Sequence, residues 1–157
     1  MKDLPSDFCA VCSTELISVM STITGGEGYL YTVITGGVRI TGIGSSAPPW
    51  PAGEIIIPSR IGSRTVIGIG DSAFTNRSSP RGIRIPNSVT SIGAYAFYNN
   101  QNLNRIWIPS SVTVIGTNAF DSCYSLTVYA QATSKPSGWH MNWNPVNRPV
   151  VWGSPPF

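Results

Sequence analysis

The stretch IRIPNSVTSIGAYAFYNNQNLNR at residues 83–105 is followed at once by IWIPSSVTVIGTNAFDSCYSLT at residues 106–127, and the second copy repeats the first at a spacing of 23 residues. The repeated pairs are Pro86/Pro109, Val89/Val112, Ile92/Ile115, Gly93/Gly116, Ala96/Ala119 and Phe97/Phe120. A third copy, IIIPSRIGSRTVIGIGDSAF at residues 55–74, precedes them and carries a five-residue insertion after Pro58. Self-similarity at a fixed period of this length predicts a stacked solenoid.

Each copy can be built from its letters. Ile-x-Ile-Pro alternates inward and outward positions, and the proline ends the strand because it has no N–H to donate. Val-x-x-Ile-Gly turns two further apolar side chains inward, and the Ala-Phe pair predicts a short helical or 3₁₀ turn. The predicted core comprises Ile83, Ile85, Ile92, Ile106, Ile108 and Ile115 with a ladder of Phe74, Phe97 and Phe120.

Composition limits the classes of partner. The chain has 157 residues, a single-domain length, and only 11% of them are charged. The net charge of +3 is small and scattered, whereas nucleic-acid binding needs a concentrated basic stripe. No run of about 18 apolar residues occurs, so the sequence predicts no membrane span.

The first 24 residues and the cysteines show neither a clear signal peptide nor a complete set of metal ligands. MKDLPSDFCAVCSTELISVMSTIT lacks a basic n-region and an unbroken apolar core, so no signal peptide is evident. Cys9 and Cys12 form a lone C-x-x-C, and His140 is the only histidine, so a zinc site lacks half its ligands and we expect no metal and no cofactor. The cysteine pair is either two thiols or one local disulfide.

Two flanking segments enclose the repeats. Residues 29–34 and 38–43 alternate around Gly36-Gly37, a pattern that predicts a β-hairpin over the first coil. The tail carries Trp139, Trp143 and Trp152, which favour a cap on the exposed end of the solenoid over an aromatic ligand pocket. The predicted organisation is 1–24, of uncertain order; 25–52, hairpin cap and loop; 53–130, repeats; and 131–157, C-terminal cap.

The repeat carries a family resemblance. The pattern I-x-I-P-x-S-V-T-x-I-G-x-x-A-F-x-x-C-x-x-L, complete at residues 106–126 and nearly so at 83–103, resembles the BspA-like leucine-rich repeat family of bacterial and protist surface proteins. The resemblance implies a mostly β solenoid of about three 23-residue coils. It also implies a secreted or cell-surface, non-enzymatic protein used in adhesion or protein contacts. Departures occur where Asn100 and Arg77 replace the cysteine found at Cys123, and where Pro80 replaces the leucine found at Leu103.

Function is expected at the outward positions, since packing explains the inward ones. Strand alternation turns outward Glu54, Ile56, Arg84, Arg105, Trp107, Thr127 and Tyr129. Tryptophan, tyrosine and arginine are the residues most often found at binding hot spots, and arginine with aromatic rings also suits sugars. The candidate ligand-binding residues are therefore Arg84, Arg105, Trp107 and Tyr129. Alternatively, Trp107 packs on a flanking loop or on the C-terminal tail.

Two non-enzymatic hypotheses follow. Seven acidic residues are spread along the chain without a recognisable catalytic pair, and no nucleophile can be assigned to His140. The first hypothesis is a module that binds a protein or glycan through the strand face or through the insertion at residues 59–65, which carries Arg60 and Arg64. The second is self-association into oligomers or filaments through solenoid ends and sheet edges.

Overall fold

The computed structural model describes residues 28–44 and 53–157. Segment 1–24, with Cys9 and Cys12, and the loop around Trp50 lie outside the described residues. The described strands are β1 (Tyr29–Ile34), β2 (Gly37–Ile43), β3 (Glu54–Ile56), β4 (Arg60–Ile61), β5 (Arg64–Ile69), β6 (Gly82–Arg84), β7 (Ser91–Ile92), β8 (Arg105–Ile108), β9 (Val114–Ile115), β10 (Thr127–Ala130) and β11 (Val150–Trp152).

The strands form two sheets that enclose one core. The front sheet has the order β11-β10-β8-β6-β3 and is parallel throughout, so each coil of the chain adds one strand beside the last. Its inward column joins Ile55, Ile83, Ile106 and Val128 in register. The chain makes four solenoid turns between these five described strands. The repeats predict about three coils, and the tail adds the fourth because it supplies β11.

The back sheet forms the opposite wall. It has the order β1-β2-β5-β7-β9, and it begins with an antiparallel hairpin in which Val33 pairs with Val38. Strand β2 then joins β5 in parallel, so the hairpin extends the back sheet of the solenoid. The insertion forms a small hairpin of its own, in which Arg60 pairs with Thr65.

A ladder of aromatic rings runs through the core. Phe74 and Phe97 stack with centroids 5.4 Å apart, and Phe97 and Phe120 stack at 5.5 Å. Tyr29 meets one end of this ladder edge-on at 6.3 Å, and Trp143 meets the other at 5.8 Å. Every residue of the expected core is at most 1% exposed: Ile83, Ile85, Ile92, Phe74, Phe97, Ile106, Ile108, Ile115 and Phe120.

The prediction of a helical or 3₁₀ turn around each phenylalanine is wrong for the described residues, which contain turns there and no helix. The residues two before and two after each phenylalanine have positive φ, a backbone conformation that interrupts a right-handed helix. They are Ser72, Asn76, Tyr95, Asn99, Asn118 and Ser122. The amides are also used elsewhere, because Phe74 N–H donates to Ala96 O and Phe97 N–H donates to Ala119 O in the next coil. Inter-coil bonding therefore replaces the local bonding of a helix.

Asn100 and Cys123, at the position that varies between repeats, hydrogen-bond to buried backbone groups of the turns. Asn100 is fully buried, and its Nδ2 donates to Phe74 O at 3.0 Å and to Phe97 O at 2.7 Å. Its Oδ1 accepts from the backbone N–H of Arg77 at 2.8 Å. The thiol of Cys123 donates to Phe97 O of the preceding coil at 3.1 Å. Asparagine and cysteine are thus alternative donors to the phenylalanine carbonyl of the preceding coil.

The tail continues both sheets. Trp139 forms a parallel bridge with Ile115 of the back sheet, and its indole Nε1 donates to Val112 O at 3.0 Å. Trp143 lies 23 residues after Phe120 and packs against that ring, and both tryptophans are almost fully buried. Residues 131–157 therefore place large aromatic side chains on the hydrophobic end of the last coil.

Candidate interaction surface

The outward side chains of the front sheet, here called the outer face, form two rows because the strands are parallel and in register. One row runs Ile56, Arg84, Trp107, Tyr129 and Val151. The other runs Glu54, Gly82, Arg105 and Thr127. The register thus brings all four predicted binding residues together on one face.

Glu54 links the two arginines of the outer face. Its carboxylate lies 3.1 Å from Arg84 Nη2 and 2.9 Å from Arg105 Nη2. Gly82 stands between Glu54 and Arg105, and a Cβ placed there would lie 3.1 Å from Arg105 Nε. Because Gly82 has no side chain, Arg105 can extend across it to the Glu54 carboxylate. Sequence alternation had placed Glu54 outward but could not reveal this pairing.

Trp107 lies beneath the end of the chain. It is 3% exposed although its side chain points away from the core, and its indole Nε1 donates to Ser154 O at 3.3 Å. The sequence left two alternatives for this residue, a free binding side chain or a side chain packed on the tail, and in the structure Trp107 packs on the tail. A buried indole N–H normally finds an acceptor, and here the tail supplies it.

Phe157 lies over the predicted binding residues. Its ring meets the ring of Tyr129 edge-on, with centroids 5.4 Å apart. The guanidinium carbon of Arg105 lies 4.8 Å from the centroid of Phe157, and that of Arg84 lies 5.7 Å from it. Both distances fall within the reach of a cation–π interaction. The outer face therefore holds an aromatic side chain between two cations and a tyrosine.

The chain reaches this position through a turn after β11. Gly153 has φ +68°, a conformation that suits glycine, and its N–H donates to Ala132 O at 2.9 Å. The N–H of Ser154 then donates to Ala130 O at 3.0 Å, which directs residues 154–157 back across the strands. The sequence predicts residues 154–157 as part of the C-terminal cap, whereas the structure lays them across the outer face. The Pro155-Pro156 pair, which cannot continue a strand, was the available signal for a chain that leaves the sheet.

Parts of the outer face stay accessible. Ile56 is 61% exposed at the β3 edge, and the Arg105 side chain is 51% exposed. The insertion arginines, Arg60 and Arg64, are exposed as well, but they belong to strands that pair within the back-sheet side of the solenoid. They therefore do not extend the row formed by Arg84 and Trp107.

Three further features of the described part of the chain concern metal ligation, membrane-spanning helices and the Cys123 thiol. Across residues 28–44 and 53–157, no three histidine, cysteine or acidic side chains are grouped so as to hold an ion. Within the same ranges no helix has the length and apolar character needed to cross a bilayer. Burial raises the pKa of the Cys123 thiol to about 11, with a nearby hydrogen bond at Asn100 opposing and Asp121 adding to the rise.

The repeats match a known protein family. The model of the BspA type Leucine rich repeat region (6 copies) matches residues 54–134, which is just over half of the chain. The chain belongs to the BspA-type leucine-rich repeat family. The matched residues include every front-sheet strand from β3 to β10, so the family assignment covers most of the outer face. Leucine-rich repeats of this type are typically interaction modules and not enzymes.

Solved leucine-rich repeat structures resemble this BspA-type chain. A leucine-rich repeat protein of Bacteroides capillosus superposes with a TM-score of 0.67 at 22% identity, covering 82% of this chain and 96% of that one, a likeness that shows the fold alone. The leucine-rich repeat protein of T. pallidum gives 0.57 at 25% identity, covering 66% of this chain and 50% of its own. A leucine rich cell surface protein of Faecalibacterium prausnitzii gives 0.56 at 28% identity, with 73% and 34% covered.

The BspA-type chain thus spans half the length of the T. pallidum protein and about a third of the Faecalibacterium protein. A search of curated proteins finds no match.

Proposed function

We propose that the chain is a non-enzymatic interaction module of the cell surface that binds a protein partner through the outer face. One observation carries this proposal: the outer face already holds an aromatic ring between Arg105, Arg84 and Tyr129, and a backbone carbonyl on the Trp107 indole. These are the contacts that a peptide ligand offers. The family and the cell-surface relative in Faecalibacterium support a surface location.

The chemistry of the outer face favours protein over nucleic acid or a small apolar ligand. Arginine and aromatic side chains dominate protein-binding hot spots because a guanidinium can stack on a ring while its N–H groups hydrogen-bond. Glu54 partly neutralises the two arginines, so the face lacks the concentrated positive charge that phosphate backbones require. A ligand that combines carbonyl acceptors with an aromatic side chain matches the groups present.

Binding can be tested against arrays of purified extracellular proteins and of glycans. We expect the wild-type chain to bind at least one protein saturably, and Arg105→Ala together with Arg84→Ala to lose that binding while the melting temperature stays near the wild-type value. Tyr124→Ala is the matched control, because Tyr124 is 60% exposed and lies outside both rows of the outer face. Binding to glycans alone, or loss of binding in the control variant, would contradict the proposal.

Self-association is a second candidate function, favoured by the two terminal strands of the front sheet. In the described part of the chain β3 and β11 each pair on one side only, and Ile56 and Val151 are exposed on them. Open strand edges of this kind can pair with another copy. Light scattering over a wide concentration range tests this candidate, which a strictly monomeric protein at millimolar concentration would exclude.

A further inference from the structure

Residues 154–157, here called the closing segment, lie on the outer face. The segment reads Ser-Pro-Pro-Phe. Its contacts with the outer face are one hydrogen bond, from Trp107 to Ser154 O, and the ring contacts of Phe157. Its two prolines have no N–H to donate, so the segment cannot join the front sheet as a further strand.

We propose that the closing segment is an intramolecular competitor that occupies the outer face until a protein segment of the same chemistry displaces it. That ligand is an extended, proline-containing segment with an aromatic side chain and, three residues before it, a free backbone carbonyl, as Ser154 and Phe157 are placed here. The inference rests on the proposed function, because it assumes that the outer face is the binding site. It adds the chemical class of the ligand and a form of regulation.

Release of the closing segment leaves the solenoid intact. Strand β11 ends at Trp152, and its pairing with β10 involves Val150, Val151 and Trp152 only. Gly153 follows at positive φ and provides a turn at which the chain can change direction. The N–H of Ser154 is bonded to Ala130 O, so the Ser154 carbonyl leaves the Trp107 indole either by breaking this bond or by rotating about it, and Pro155, Pro156 and Phe157 move with the carbonyl.

The closed arrangement is held weakly. Pro155 and Pro156 are exposed, and Phe157 is only half-buried. The hydrogen bond from Trp107 is long at 3.3 Å, near the upper limit of N–H···O geometry. Arg84 Nε is buried without a hydrogen-bond partner while the closing segment is docked, and an unsatisfied buried donor costs free energy. A ligand that satisfies this donor gains an advantage over the closing segment.

A second feature supports competition over a purely structural role. If the segment left, the outer-face side chains of Trp107, Tyr129 and the two arginines would be open to water, whereas the core columns behind them are complete without it. Phe157 is absent from the hydrophobic core of the described residues, which includes Trp139 and Trp143 of the same tail. The tail therefore has two parts, one packed into the core and one laid on the outer face.

Peptide binding to the full chain tests the proposal. The probe is a fluorescein-labelled Gly-Ser-Pro-Pro-Phe peptide with a C-terminal amide, and its counterpart carries alanine in place of phenylalanine. A competitor lowers apparent affinity by the fraction of molecules in the open state. Because Phe157→Ala removes one aromatic pair and two cation–π contacts, we expect it to raise the affinity for the probe about tenfold over wild type.

Two controls locate the effect. Met141→Ala changes a tail residue that is 82% exposed and away from the outer face, and we expect wild-type affinity. Adding Arg105→Ala to Phe157→Ala removes one cation from the exposed site, and we expect the gain to disappear. The indole N–H resonance of Trp107, assigned by its loss in Trp107→Phe, reports docking directly and should shift between wild type and Phe157→Ala.

The possible failures are distinguishable. Equal peptide affinity in wild type and Phe157→Ala would overturn the competitor while leaving the outer face as a binding site. No peptide binding in any variant, with protein binding in the arrays that Arg105→Ala abolishes, would overturn the ligand chemistry but not the proposed function. Concentration-dependent dimers that Phe157→Ala abolishes would overturn competition within one chain, because the segment would then dock on a second copy.

Discussion

Asn100→Ala is the change that best separates hydrogen bonding from packing in this solenoid. The side chain is fully buried and makes three hydrogen bonds, to Phe74 O, Phe97 O and the Arg77 N–H, at 2.7–3.0 Å. A buried hydrogen bond contributes about 1 kcal/mol net, and a buried group left without a partner costs about 1–3 kcal/mol more. We therefore expect the free energy of unfolding to fall by about 3–5 kcal/mol, a large part of a typical total of about 5–15 kcal/mol.

Urea unfolding followed by circular dichroism measures this loss, and two further variants interpret it. Asn100→Asp keeps the volume but turns an acceptor toward two carbonyl oxygens, so at pH 7 it should destabilise at least as much as Asn100→Ala. Asn102→Ala is the matched control, since its amide is exposed and donates only to Ser78 O at 2.7 Å. We expect the control to change stability by less than about 1 kcal/mol.

A cost below about 1 kcal/mol for Asn100→Ala, or wild-type stability for Asn100→Asp, would refute the assignment of the column to backbone bonding. In either case the column would be explained by packing volume alone.

Three further predictions follow from the core and its turns. Phe97→Ala opens a cavity between two stacked rings and should cost about 3–5 kcal/mol in urea unfolding, whereas exposed Tyr124→Ala should cost little; similar values for the two would contradict the ring ladder. Gly93→Ala places a Cβ 2.5 Å from Asp71 N, so it should lower the melting temperature far more than Gly53→Ala, whose Cβ meets nothing within 4 Å. Burial raises the pKa of the Cys123 thiol from about 9 to about 11, so between these pH values the folded state keeps a proton that the unfolded state loses. The free energy of unfolding should therefore decline between about pH 9 and 11, and Cys123→Ala should flatten that decline. Rapid labelling of Cys123 by iodoacetamide in the native protein at pH 8 would count against its burial.

Much of the fold was readable from the repeats because each column of a solenoid repeats one environment. The isoleucine and phenylalanine columns were assigned to the core from their spacing, and the alternation between them placed Arg84, Arg105, Trp107 and Tyr129 on one face. The prediction of a helical turn is wrong because local propensity does not include the hydrogen bonds offered by the neighbouring coil. Backbone amides around Phe74 and Phe97 bond across coils, and the residues at positive φ on either side of each phenylalanine permit it.

The sequence by itself determined the period, the inward columns and the outward row, since these depend on spacing and side-chain character alone. Only the tertiary structure decided what covers that row. Residues 154–157 follow Trp107 by nearly fifty positions, and no local pattern states where a Ser-Pro-Pro-Phe segment will lie. Its position depends on the turn at Gly153 and on a site assembled from three different coils, and such a site exists only after the chain has folded.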